Sequence, residues 1–128
     1  MEENYIDIGK INKEFFVEIT NNIVTDEVIL TRERYLHIIN GHKEDFELYA
    51  NVLPEIIKNP DYILKDYKNP DTAMIIKHID NTNINVILKL AVANDELHTK
   101  NSIMTMYRIR DKNLKKLQEK NKTIYKKE

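Results

Sequence analysis

Two of the four histidines in this 128-residue chain, His37 and His42, lie five residues apart, and the chain has no cysteine. Imidazole suits proton transfer near neutral pH because its ordinary pKa is about 6.5. Without a thiol there is no cysteine nucleophile, no thiolate metal site and no disulfide. The histidine pair is therefore the sharpest chemical feature of the sequence. On one uninterrupted helix, residues five apart point about 140° away from each other. Gly41 lies between the two and offers a break that would swing His42 back toward His37. The stretch around them carries its own helix signals. Thr31 supplies an N-cap hydroxyl, Gly41 suits the left-handed position past the C-terminus, and Tyr35, Leu36, Ile38 and Ile39 form an apolar stripe.

The elements that must position this pair follow from periodicity. Val28-Ile29-Leu30 is a brief apolar run leading into the Thr31 helix. Beyond His42, Phe46, Tyr49, Ala50, Leu53, Ile56 and Ile57 recur at steps of three and four, which predicts a second helix with one apolar face. Pro54 either kinks it or restarts it from the first turn, and Asn59-Pro60-Asp61 ends it. Strand-like runs then alternate with turns: Tyr62 to Tyr67, Thr72 to Ile79, Ile84 to Val92 and Asn101 to Ile109. Lys68-Asn69-Pro70-Asp71 and Asp80-Asn81-Thr82-Asn83 supply tight turns, and 93–100 a longer loop. Asp111 is placed to cap a last helix running to about Asn121, with Leu114 and Leu117 facing inward. The expectation is an α+β fold over 1–128: N-terminal helices packed on a four-stranded antiparallel β-meander, with a C-terminal helix. Residues 1–25 leave strand and short helix both open.

Hydrophobic residues make up 41% and charged residues 32%, the range of a folded rather than a disordered chain. No apolar run approaches the roughly 20 residues that span a bilayer. The acidic start, Met1-Glu2-Glu3-Asn4, lacks the features of a secretion signal. A cytoplasmic location, or delivery into a target cell without a classical signal, is the expectation. The net charge of −1 conceals an asymmetry. Residues 108–128 hold nine Lys or Arg against three Asp or Glu, and residues 1–107 eleven against eighteen. The basic end reads either as a phosphate-facing helix or as a solvated one.

Strand alternation sorts the polar residues of the sheet. With one face covered by helices, the other would present Lys77, Lys89, Thr105 and Tyr107 as a polar platform. Ser102 and Thr105 fall on opposite faces of a regular strand, so both can serve only if a bulge intervenes.

The segments Val28-Ile29-Leu30-Thr31, His37-Ile38, His42, Asn59-Pro60-Asp61 and Asn101-Ser102-Ile103-Met104-Thr105 together resemble a family of phage-associated barnase–EndoU–colicin–RelE-like nucleases, over about residues 25–125. Thr105 and Tyr107 with two upstream histidines are also similar to the EndoU arrangement. The resemblance implies a ribonuclease-toxin fold and metal-independent RNA cleavage, with no cofactor. It further implies RNA as partner, tRNA among the candidates, and a cognate immunity or antitoxin protein. Cleavage through the 2′-hydroxyl needs a base to take that proton and an acid to protonate the leaving 5′-oxygen. His37 and His42 are the candidates for the two roles. Lys89 or Lys77 would hold the phosphate, Ser102 and the catalytic candidate Thr105 would donate hydrogen bonds, and Tyr107 would stack on a base.

Each of these residues also has a plainer role. His37 suits a hydrogen-bonded core position, and His42 a C-terminal position favoured by the helix dipole. His78 and His98 read as structural or solvated. Thr105 suits any strand, and Lys89 a sheet edge. A non-catalytic RNA- or protein-binding module on the same fold is the alternative, favoured by the acidic bulk of residues 1–107. A metal-dependent hydrolase ranks last, because no carboxylate stands at a recognised ligand spacing from the histidines.

Overall fold

The computed structural model describes residues 4–93 and 99–128. The expectation for His98 therefore falls outside the described residues. The strands are β1 (Tyr5–Lys10), β2 (Glu27–Thr31), β3 (Tyr62–Lys65), β4 (Thr72–Ile79), β5 (Thr82–Lys89), β6 (Asn101–Ile109) and β7 (Thr123–Lys126). The helices are α1 (Arg32–Tyr49), α2 (Leu53–Lys58) and α3 (Asp111–Lys120). All seven strands join one sheet in the order β1-β2-β6-β5-β4-β3-β7. Every pairing is antiparallel except that of β2 with β6.

The fold is α+β, but the sheet has seven strands rather than four, and the chain opens with strands rather than helices. β2 is the run Val28-Ile29-Leu30, buried throughout; an apolar run with no alternation is what a strand covered on both faces looks like. β7 escaped the sequence pattern because only Ile124 and Tyr125 stand apolar among lysines. It is held by β3 and by a stack of Tyr125 on Phe15, with ring centroids 4.1 Å apart.

Local chemistry explains the joints. The Thr31 hydroxyl accepts from Arg34 N at 3.2 Å, capping α1 as its position suggested. The β4–β5 turn places Asp80 and Asn81 at φ 51° and 64°, the left-handed pair that a two-residue hairpin demands and that Asp and Asn tolerate. Pro54 restarts the chain in the first turn of α2. Asp111 is the first residue of α3 rather than its cap; Arg110 holds the cap position, with no side-chain cap bond.

Register divides the sheet into two faces. One carries Ile63, Ala73, Ile75, Ile84, Val86, Leu88, Ile103 and Met106, fully buried beneath Ile38 of α1 and Leu53, Ile56 and Ile57 of α2. Full burial of each such aliphatic side chain stabilises the fold by about 1.5–3 kcal/mol. The opposite face carries Leu64, Met74, Ile76, Asn83, Asn85, Ile87, Thr105, Tyr107 and Ile109. Leu114 and Leu117 of α3 pack against its Leu64–Met74–Ile76–Ile109 portion.

β2 pairs with β6 only as far as Ile29 opposite Ser102. Beyond that point α1 follows the free edge of β6. Arg34 donates through Nε and Nη2 to the Met104 carbonyl at 3.0 and 2.8 Å, and Asp45 accepts from Arg108 N at 3.1 Å. Side chains of the helix thus satisfy edge groups that another strand would otherwise pair.

Candidate functional site

The site is built where α1 breaks beside β6. His42 has φ −139° and ψ 41°, outside the helical range, so α1 is two helices joined at that residue. The Tyr35 and Phe46 rings stand 5.4 Å apart, edge to face. Eleven residues of straight helix would separate their Cα atoms by about 16 Å, so the bend is substantial. The expected left-handed Gly41 is not found: the only glycine with positive φ is Gly9, and the break falls one residue later, at His42.

The break aims His42 inward. Its ring is half-buried and lies against Tyr107, with centroids 5.0 Å apart and planes tilted by 33°. His37 stays on the outer flank, exposed, in the turn before the break, where a bend farther along the chain cannot reorient it. Among the described residues no hydrogen bond or ring contact joins the two histidines. The core position weighed for His37 is excluded by its exposure, and His42 makes its ring contact with β6.

β6 delivers the remaining groups through an irregularity. Thr105 pairs with Ile87 and Ile103 with Leu88, leaving Met104 as the extra residue of a bulge. Ser102 pairs with Lys89, so the bulge returns Ser102 to the face that holds Thr105 and Tyr107. This is the bulge that their joint participation required. Asn85 lies opposite Tyr107 and is fully buried, donating from Nδ2 to the Tyr107 hydroxyl at 3.2 Å. Asn85 Oδ1 and Thr105 Oγ1 are both buried without a hydrogen-bond partner. A shallow cleft of about 290 Å³, lined by Thr72, Ile87, Lys89 and Met104 among others, continues this face.

The two lysines separate. Lys89 lies on the site face, in line with Ser102, but its Nζ donates to the Pro70 carbonyl at 3.1 Å and stands 4.0 Å from Asp71. Lys77 pairs with Ile84 and so lies on the opposite face, donating to the Asn59 carbonyl at 2.7 Å. The expected platform therefore does not include Lys77. Alternation within a strand could not reveal this, because the β4–β5 register decides which face each lysine joins.

Sequence reasoning missed Asn85, Arg34 and the Asp45–Arg108 clasp. Asn85 was legible as a polar residue two before Ile87 in an apolar strand. The clasp joins residues 63 apart and left no local signal. Asp45 accepts from Arg108 Nε at 2.5 Å and Glu44 from its Nη2 at 2.6 Å. These bonds, Asp45 first, hold the guanidinium above its ordinary pKa. His78, taken as structural or solvated, is exposed; its Nδ1 lies 3.1 Å from Asn83 Oδ1. Among the described residues no group of three or more His, Asp or Glu is placed to hold a metal ion, and no helix is long and apolar enough to cross a membrane.

Comparison with curated proteins and with solved structures gives no match. The family described as phage-Barnase-EndoU-ColicinE5/D-RelE like nuclease3 matches over residues 6–116, from β1 into α3, and so takes in the broken helix, the bulged strand and the face between them. A kinked helix that sets a histidine against a bulged, polar strand face is thus part of a chain that belongs to this nuclease family.

Proposed function

We propose that the protein is an endoribonuclease that cleaves RNA without a metal, through attack of the 2′-hydroxyl on the adjacent phosphodiester, with His42 transferring the proton. The observation that carries this reading is the position of His42, half-buried at the helix break and lying against Tyr107. An imidazole there is held in one place yet keeps a solvent-facing side, as a group that exchanges protons with a bound substrate needs. Thr105 and Ser102, on one face through the bulge, are hydrogen-bonding groups for the phosphate. Lys89 lies at the far end of that row, and the Tyr107 ring is available to stack on a base. His37 remains the second proton-transfer candidate, reaching a substrate only from the outer flank of α1. Membership of a nuclease family supports the reading. The proposal extends to an RNA substrate, tRNA among the candidates, to a toxin role and to a cognate immunity or antitoxin protein.

The test is incubation of the purified protein with total RNA in EDTA, beside His42→Ala and His37→Ala. The wild type is expected to cleave, His42→Ala to lose about 10²–10⁴-fold in rate with the fold intact, and His37→Ala to lose less. His42→Ala cleaving at the wild-type rate would remove the assignment. The second reading, a binding module without catalysis, draws on the acidic balance of residues 1–107. It predicts salt-sensitive RNA binding and no cleavage by any of the three proteins.

A further inference from the structure

The stacking role gives Tyr107 a ring and no use for its hydroxyl; the geometry points to the hydroxyl. We infer that it donates a hydrogen bond to a non-bridging oxygen of the phosphate under attack, and that Asn85 positions it for this. The inference rests on the nuclease reading above.

The donor pattern comes first. Asn85 Nδ2 can only donate, so the phenol oxygen is the acceptor in their 3.2 Å bond. A phenol has one proton, and this bond does not use it; the O–H is left for a second partner. This orientation of the amide is the better satisfied one. Turned over, it would bury an NH₂ group with its donors unpartnered, in place of one unpartnered carbonyl oxygen. Asn85 is fully buried, so its aim is fixed by packing.

The surroundings point the same way. Asn85 Oδ1 and Thr105 Oγ1 are also buried and unpartnered, on the face that carries Tyr107. A strand face built only for stability fills such valences. Meanwhile four cations of the sheet and α1 are already engaged. Lys77 lies across the sheet, Lys89 is bonded to the Pro70 carbonyl, Arg34 to the Met104 carbonyl, and Arg108 to Asp45 and Glu44. The phenol O–H belongs to the ring against which His42 lies, so it is a dipole available to charge growing on a phosphate beside that histidine. Fixed donors of this kind act most strongly on the transition state, where the charge is greatest. No proton leaves the phenol; the acid–base steps remain with the histidine.

The test is Tyr107→Phe, which keeps the ring and removes only the hydroxyl. The expected result is a fall of about 10²–10³-fold in single-turnover cleavage. Affinity for a non-cleavable 2′-O-methyl RNA should be unchanged, and the His42 imidazole NMR signals should stay in place because the ring remains against them. Cleavage by Tyr107→Phe at the wild-type rate, with Tyr107→Ala defective in binding, would return the residue to base stacking and overturn the inference while leaving the nuclease reading standing. Equal loss of cleavage and of 2′-O-methyl RNA affinity would overturn the transition-state role. A wild type that cleaves no RNA would overturn the nuclease reading and this inference with it.

Discussion

The two faces of the sheet are made by the same strands and differ in almost every other respect. On the face beneath α1 and α2, residues 84, 86 and 88 of β5 are Ile, Val and Leu, and all three are fully buried. On the other, residues 83, 85 and 87 are Asn, Asn and Ile, opposite Ile109, Tyr107 and Thr105, and α3 covers only part of the surface. The first face is optimised for packing. The second keeps two buried polar atoms without partners, a defect that costs stability and that selection for folding alone would remove. A fold of this size can carry such a defect because the closed face supplies the stability. The polar face is the one that His42 overlooks.

This contrast can be broken from either side. Leu88→Ala, in the closed face, is expected to lower stability by about 2–5 kcal/mol in denaturant unfolding, while the protein that stays folded cleaves normally. Loss of cleavage in that folded fraction would mean that the two faces are not separable. Thr105→Val should do the reverse. Removing an unpartnered hydroxyl is expected to raise stability by about 1 kcal/mol while cleavage falls. A variant both less stable and fully active would show the hydroxyl to be structural. Lys77→Ala should leave cleavage unchanged and cost no more than about 1 kcal/mol, since its amine serves the Asn59 carbonyl on the far face. The smallest effect is expected at Glu27. Its hydrogen bond to Lys100 holds this carboxyl below its ordinary pKa, so its contribution is complete above the ordinary carboxylate value and fades as pH falls through the lowered one. Glu27→Gln should lower stability slightly across the neutral range, where that contribution is complete, flatten the acid limb of the stability curve, and leave the RNA chemistry alone.

Local signals carried much of this arrangement. The Thr31 cap, the break between His37 and the second helical pattern, the Asp80–Asn81 turn and the spans of β4 and β6 all rest on chemistry within a few residues, and each was readable. The need for a bulge between Ser102 and Thr105 was readable too, as a condition on their joint use. Relative placement was not. Which face Lys77 shared depended on the β4–β5 register, and which neighbour satisfied the free edge of β6 depended on a helix 60 to 70 residues away. His37 and His42 made an attractive pair by sequence distance. The bend falls at His42, which lies against Tyr107, while His37 stays exposed on the preceding turn of α1.

The placement of β7 governs when the molecule can become itself. This strand pairs with β3, while Tyr125 stacks on Phe15 and Lys122 pairs with Glu18. The face that carries Thr105 and Tyr107 is likewise completed by β6 and α3, made long after α1 and after every strand except β7. A nascent chain therefore holds His42 well before it has the strand against which His42 works. Assembly of the sheet must await segments made near the close of residues 1–128, because these long-separated pairings pay their loop-closure entropy late. During synthesis the ribosome would carry a chain in which His42 waits for Ser102, Thr105 and Tyr107 to be made.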